Sequence, residues 1–363
     1  MREYLVCFLV AAAVTYLLTP PVRRLAIKAK AMAEVRDRDI HATPTPRWGG
    51  LAMYGGFLAG LLIASKLPGM AVVFGSNRQP LALVVGSTLI VGLGLLDDRF
   101  GLDAPTKFAG QALAAGSMAF LGIQMVWLPI GGTLVLDPLT SVLLTVLFVV
   151  LTINAVNFVD GLDGLAAGIV GIAATAFFVY AFLLSVEFGF DRATLAALIC
   201  ALLAGICVGF LPHNLNPARL FMGDTGSMLI GLLLAASAIT LSGRVDPSAV
   251  RGELLLPAIL PLLLPLAVIA VPLLDVAMAV VRRTRRGRSP FAPDKEHLHH
   301  RLIELGHSQR RAVALMYAWT ALIAFSAVAA ALVPWPVALV VFLAGLAGLA
   351  FLVSRPAAAL SRR

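Results

Sequence analysis

Charge is scarce in this chain. Only 13% of its 363 residues are Asp, Glu, Lys or Arg, against about 25% in soluble globular proteins. A water-soluble enzyme and a disordered protein are both excluded by that shortage, because each needs charge to stay solvated. Cysteine is scarce too. Cys7, Cys200 and Cys207 lie inside apolar runs, an odd number with no loop pairs. That excludes a disulfide framework and leaves them as small packing residues in helices. Acid is short relative to base, giving a net charge of +9. On a soluble protein that balance would suggest nucleic acid. Here no soluble domain exists to present it, and cationic loops that orient a membrane protein explain it better.

What the chain has in abundance is apolar residues, 60% of the total, with a mean hydropathy of +0.93. At about 20 apolar residues per crossing, this suffices for on the order of ten transmembrane helices and leaves nothing for a large soluble domain. Charge-free runs lie at about 4–22, 49–65, 79–96, 108–136, 138–159, 164–186, 193–218, 225–243, 254–274 and 312–354. Pro334-Trp335-Pro336 divides the last run into two spans, which brings the expected count to eleven. The tail of run 108–136 reads as a short extramembrane hairpin over 129–136, turning at Gly131-Gly132. In the first run the basic cluster Arg23, Arg24 and Lys28 follows the apolar stretch, and no small-residue cleavage site is evident. A retained span is therefore expected, not a signal peptide. The fold class is an all-α polytopic membrane protein, one integral membrane domain over 1–363. The ninth span carries Pro257, Pro261, Pro265 and Pro272 within sixteen residues and is expected to be bent or broken.

Placing the N-terminus outside and alternating puts 23–48, 97–107, 157–163, 213–224, 282–311 and 355–363 on the cytoplasmic side. Those segments hold 22 of the 28 Lys and Arg, a strong positive-inside signal. The same alternation gathers Asp97, Asp98, Asp160, Asp163, Asp224, His297, His299 and His300 onto one face, although only Lys and Arg set the orientation.

Several segments carry chemistry. Asp97-Asp98-Arg99 ends a span, and two adjacent carboxylates near lipid are costly. They are either an interfacial cap or a pair that handles Mg²⁺ or protons. Magnesium is typically held by one or two carboxylates together with substrate phosphates. Lys107 opens the next helix and can neutralise phosphate or merely snorkel. Asn154, Asn157, Asp160 and Asp163 recur every three residues, close to one face of a helix end, before Gly161 and Gly164 interrupt them. A polar helix terminus with glycine caps is the bland alternative. Asn214-Leu-Asn216-Pro217 leads into Phe221-Met-Gly223-Asp224-Thr225-Gly226-Ser227, where Asp224 stands between glycines before an apolar helix. An acid there is often only an N-cap, but glycines also let backbone N–H groups approach an anion. His297-Leu298-His299-His300-Arg301 raises zinc. No cysteine accompanies it, and the hard oxygen donors elsewhere favour Mg²⁺ with phosphate. Arg282, Arg283, Arg285, Arg286 and Arg288 form either a diphosphate site or an anchor for anionic lipid. Asp275, within the ninth span, is either functional or one half of a buried polar pair.

The ordered set Gly-Leu-Leu-Asp97-Asp98-Arg, Asn154-Ala-Val-Asn157-Phe-Val-Asp160-Gly-Leu-Asp163-Gly-Leu, Phe221-Met-Gly-Asp224-Thr-Gly-Ser and His297-Leu-His299-His300-Arg resembles the polyprenyl-phosphate N-acetylhexosamine-1-phosphate transferases. Pro46-Arg47-Trp48-Gly49-Gly50 before the second helix is similar to the family's Pro-rich Gly-Gly stretch. The closer likeness is to the WecA/TagO-like branch of the MraY/WecA superfamily. MraY proteins usually carry a contiguous histidine run followed by an acid, whereas here Leu298 splits the run and Arg301 follows it. An MraY-type phospho-MurNAc-pentapeptide transferase is the alternative within the family.

The resemblance implies transfer of N-acetylglucosamine 1-phosphate from UDP-GlcNAc to polyprenyl phosphate, with UMP released, as the first membrane step of a cell-envelope glycan pathway. It implies a bacterial inner-membrane location with the site on the cytoplasmic face, and leaves a homodimer open. By family pattern Asp224 and Asn157 hold Mg²⁺, with Mn²⁺ as a substitute, and Asp97 and Asp98 orient or deprotonate the lipid phosphate. Lys107, His297, His299 and His300 contact phosphates or sugar; Asp163 bonds uracil and Phe221 stacks on it. Asn154, Asp160 and Asn214 complete the expected substrate site. A secondary transporter is the competing class, since broken helices and intramembrane acids mark those too. Polar groups on one face, not at mid-bilayer, speak against it.

Overall fold

The structure is a computed structural model that describes residues 1–32, 44–75, 78–128, 134–187, 194–242, 284–285 and 308–354. In lipid no water is available to bond the backbone, so apolar runs close their hydrogen bonds internally as helices. They do so as α1 (Arg2–Lys28), α2 (Gly49–Ala64), α3 (Ala71–Phe74), α4 (Gln79–Phe100), α5 (Ala104–Phe120), α6 (Pro138–Val159), α7 (Leu165–Glu187), α8 (Thr194–Asn214), α9 (Gly223–Ser242), α10 (Gln309–Leu332) and α11 (Trp335–Ser354). Eight of these, namely α1, α4, α6, α7, α8, α9, α10 and α11, are long and apolar enough to cross a membrane. Helix α2 reaches that length only together with the short helical segment Pro68–Phe74, from which it is bent by 99°, so the described residues give up to nine spans. The chain is a multi-pass helical membrane protein.

Besides α2, two of the eleven expected spans differ or fall outside. Run 108–136 becomes α5, only 17 residues long. Gly122 then takes a positive φ of 100° and the chain leaves the helix. The proline-rich run 254–274, with Asp275 beside it, lies outside the described residues. The expected hairpin is present: β1 (Trp127–Leu128) pairs antiparallel with β2 (Leu134–Val135), Trp127 opposite Val135. It begins two residues earlier than the sequence suggested, and the Gly131-Gly132 turn lies outside the described residues. Thr145 and Ser141 of α6 pin it by bonding Met125 N–H and C=O at 2.9 and 2.5 Å. The three cysteines are free and buried.

Helix α9 is buried along its length except at Asp224. It packs against α2, α4, α6, α7 and α8, and a helix apolar on every side belongs in such a position. Small residues admit the close approach. A Cβ on Gly94 would fall 2.4 Å from Thr225 Cα, and one on Gly231 would fall 2.8 Å from Ile153 Cα. Helix α11 stands at the other extreme and exposes Val340, Val341, Leu343 and Phe351, the face a lipid-contacting helix presents. At one end of this bundle the C-termini of α4, α6 and α8 meet the N-termini of α5, α7 and α9.

Candidate active site

Helix α4 stops at Gly101, which is left-handed (φ +67°) and sends its N–H to Asp97 O at 2.8 Å. Asp97 Oδ1 accepts the next amide, Leu102 N–H, at 2.7 Å. The chain thus reverses tightly into α5, and Lys107 in its opening turns comes back over Asp97. The Lys107 ammonium pairs with Asp97 Oδ2 and, at 2.8 Å, with Asp224 Oδ2. A cation between two carboxylates offsets their repulsion, and Asp97 is itself buried.

Asp224 sits in the first turn of α9, just after Gly223, whose φ of +68° turns the backbone into the helix. Its other oxygen, Oδ1, accepts from Asn157 Nδ2 at 3.1 Å, and the same amide reaches Ser227 Oγ at 3.0 Å. Four elements, α4, α5, α6 and α9, therefore each contribute one side chain to a connected group: Asp97, Lys107, Asn157 and Asp224.

Asp98 does not join that group face to face. Neighbours on a helix point about 100° apart, and Asp98 is turned onto the start of α9. Its Oδ1 accepts Asp224 N–H at 2.9 Å; its Oδ2 accepts Thr225 N–H at 3.1 Å and Thr225 Oγ–H at 2.6 Å. The two adjacent acids are thus two separate devices and not one pair.

A brace lies beneath Asp224. Phe221 N–H donates to Pro46 O, Gly49 N–H to Phe221 O and Gly50 N–H to Met222 O, at 2.9 to 3.0 Å. A Cβ on Gly50 would fall 2.2 Å from Gly226 N, so the Pro-Arg-Trp-Gly-Gly segment meets the Asp224 turn backbone to backbone. Trp48 adopts a left-handed φ of 82° to deliver that contact, a conformation disfavoured for any residue with a Cβ.

The period-three set divides once α6 ends at Val159. Asn154 lies a turn deeper and donates to Gln111 Oε1 of α5 at 2.7 Å and to Val150 O at 2.8 Å. It cross-links helices and does not touch the Asp97–Lys107–Asn157–Asp224 group. Asp160 caps α6 and is half-buried. Desolvation first, then the negative charges of Asp224 and Asp98, push its carboxyl up to about 7, against the pull of Arg47. Asp163 is buried, and its Oδ2 accepts from Asn216 Nδ2 at 3.0 Å and Ala218 N–H at 3.1 Å. Asn214 is a tie between loops: Gly164 N–H donates to its Oδ1 and its Nδ2 donates to Leu220 O, both at 3.1 Å. Phe221 is half-buried beside this loop. His297, His299 and His300 lie outside the described residues.

Some participants carry no signal in the sequence. Gln309 Oε1 accepts from Asn216 Nδ2 at 2.7 Å, Arg310 donates twice to Asn216 O at 2.8 and 3.0 Å, and Tyr317 donates to Gly164 O. They anchor α10 to the Asp163 loop. Thr225 and Ser227, which the sequence marks only as neighbours of Asp224, bond Asp98 and Asn157.

Among the described residues no three His, Cys, Asp or Glu converge on a point that could hold a metal. A closed cage of protein ligands, as for structural zinc, is not built there. Asp224 with the Asn157 amide is a sparse, hard-oxygen donor set. That suits Mg²⁺, which keeps several waters and takes its remaining ligands from substrate phosphates.

Comparison with known proteins places the chain among membrane transferases by similarity. The profile of glycosyl transferase family 4 matches residues 80–242, which includes Asp97, Asp98, Lys107, Asn157 and Asp224. The decaprenyl-phosphate N-acetylglucosaminephosphotransferase of Mycobacterium tuberculosis is 46% identical over 332 residues, covering 90% of this chain and 82% of that one. A probable undecaprenyl-phosphate N-acetylglucosaminyl 1-phosphate transferase of Bacillus subtilis is 31% identical over 319 residues, covering 87% and 82%. A phospho-N-acetylmuramoyl-pentapeptide-transferase of Desulforudis audaxviator is 32% identical over 370 residues, covering 94% and 98%.

Proposed function

The chain belongs to glycosyl transferase family 4, and we propose that it transfers N-acetylglucosamine 1-phosphate from UDP-GlcNAc to polyprenyl phosphate, yielding polyprenyl-diphospho-GlcNAc and UMP. The observation that carries this reading is the convergence of Asp97, Lys107, Asn157 and Asp224 from four helix ends at one end of the bundle. A lipid phosphate and a nucleotide diphosphate both carry negative charge, so a site that joins them must offset repulsion at a membrane face.

Asp224 and Asn157 would hold Mg²⁺, which when bound supplies neutralising charge to the phosphates. Lys107 is poised to bond phosphate oxygens with an ammonium already oriented by two carboxylates. Asp97 orients that ammonium and accepts the proton of the lipid phosphate. The lipid phosphate oxygen then attacks the sugar-bearing phosphorus directly. A new P–O bond forms there, the bond to the bridging oxygen breaks, and that oxygen leaves on UMP. Asp97 is held by Leu102 and Lys107, and Asp98 by the start of α9. With Asp97 assigned as the base and Asp98 bonded to the start of α9, one step is favoured over an aspartyl-phosphate route. Asp163 would bond uracil with Phe221 stacked on it, and His297, His299 and His300 would contact sugar or phosphate. The Lys/Arg distribution supports an inner-membrane protein with its N-terminus outside and the site facing the cytoplasm.

N-acetylglucosamine is favoured over the MurNAc-pentapeptide by the 46% identity to the decaprenyl enzyme against 32% to the pentapeptide transferase, and by the split histidine run. A substrate panel tests this. UDP-GlcNAc should release UMP far faster than UDP-GalNAc or UDP-MurNAc-pentapeptide. Preference for the pentapeptide substrate would move the chain to the other branch.

A further inference from the structure

We propose that Asp98 is a positioning residue, an N-cap that α4 supplies in trans to α9, and that its task is to fix the carboxylate of Asp224. This rests on the reading of Asp224 as the metal-holding residue. The first N–H groups of a helix lack intrahelical partners and are ordinarily satisfied by the residue just before it. In α9 that residue cannot serve, since the positions before Asp224 are Met222 and Gly223. The carboxylate of Asp98 arrives from another helix and takes two of those amides, Asp224 N–H and Thr225 N–H, plus the Thr225 hydroxyl.

Two further observations point the same way. The space where a Gly223 side chain would be is filled by Asp98: a Cβ there would fall 2.4 Å from Asp98 Oδ2. Gly94, one helical turn back on α4, lies so close that its Cβ would meet Thr225 Cα at 2.4 Å. Helix α4 is therefore pressed against the α9 N-terminus over a full turn, with glycines allowing contact and Asp98 closing it. All three bonds to Asp98 involve groups of Asp224 and Thr225, and Asp98 is buried. Its negative charge also complements the positive end of the α9 dipole. Asp98 thus acts on the reaction through Asp224 and does not touch substrate.

The test compares Asp98→Ala, Asp98→Asn and Thr225→Val in the detergent-purified full chain. Mn²⁺ binding is read by electron paramagnetic resonance, amide exchange over 223–227 by mass spectrometry, and turnover as a function of Mg²⁺. Thr225→Val keeps the shape and leaves the Asp98 carboxylate intact but removes its shortest bond. Positioning predicts that Asp98→Ala and Thr225→Val both weaken Mn²⁺ binding and speed exchange over 223–227. The expected size is about tenfold for Asp98→Ala and less for Thr225→Val, the scale of a lost cap. Asp98→Asn, which retains an acceptor, should recover much of both, and turnover should return at high Mg²⁺. Unchanged exchange and Mn²⁺ affinity in Asp98→Ala, with turnover lost, would overturn the proposal and place Asp98 at the reacting atoms. Asp224→Ala separates the two readings. If it still binds Mn²⁺ normally, the metal assignment fails, while exchange over 223–227 still decides whether Asp98 is a cap.

Discussion

At the scale of residues, the account turns on which carboxylate faces what. Asp224 has one oxygen on Lys107 and one on Asn157. Asp224→Ala should cut UMP release by at least about a hundredfold, as loss of a principal charge-stabilising group does, while the protein still inserts and purifies. Activity within a few-fold of wild type would remove Asp224 from the site. Lys107→Met should be comparably inactive, and Lys107→Arg a poor rescue, because a planar fork does not replace a point charge between two carboxylates. Asp160 makes a pH prediction. Its carboxyl is raised from 3.8 to about 7, so the folded protein keeps a proton that the unfolded chain has already released. Stability from this group therefore falls as pH rises from 3.8 to about 7 and is level above that. Asp160→Asn should gain melting temperature over wild type across that window and hold the gain at higher pH. A difference constant from pH 4 to 8 would contradict the shift. The residue types were legible in the sequence: oxygen donors and one lysine stand at span ends, and the structure brings Asp97, Lys107, Asn157 and Asp224 together. Their orientation was not legible. Whether Asp97 or Asp98 meets Lys107 depends on how α4 is rotated against α9, a tertiary fact that adjacent letters do not encode. The same holds for Asn154, whose place in a period-three row suggested the site and whose partner is Gln111.

At the scale of elements, charge-free runs marked the helices well where charge or proline also marks their ends. Run 138–159 is α6 to the residue, because Asp137 caps it by accepting Leu139 and Thr140 N–H at 3.1 Å and Asp160 ends it. Helix α5 was placed less well. It begins at Ala104, three residues before Lys107, because a helix can start in the polar interface where a search for uncharged residues cannot see it. The 46–50 segment stood out in the sequence only as a family likeness; its contact with 221–226, glycine backbone against glycine backbone, is a finding of the structure. Gly50→Ala should therefore cost about 1–3 kcal/mol, as overpacking does, and depress activity with it, since the displaced turn carries Asp224. Thermal unfolding in detergent checks the first effect. A stable, fully active Gly50→Ala protein would show that the brace does not fix the site.

At the scale of the whole molecule, alternation of helices is what makes a site from distant sequence. Each crossing returns the chain to one end of the bundle or the other, so Asp97, Lys107, Asn157 and Asp224 meet without any local motif linking all four. Alternation of spans places 97–107, 157–163 and 213–224 at one end of the bundle from the sequence alone; which side of the membrane that end faces rests on the Lys/Arg distribution. The single measurement that bears most directly on the central claim is the identity of the nucleotide released. Purified protein given UDP-GlcNAc, polyprenyl phosphate and Mg²⁺ should form UMP and polyprenyl-diphospho-GlcNAc in equal amounts, and at least about a hundredfold less of both with Asp224→Ala. Release of UDP in place of UMP, or no lipid-dependent release at all, would contradict it.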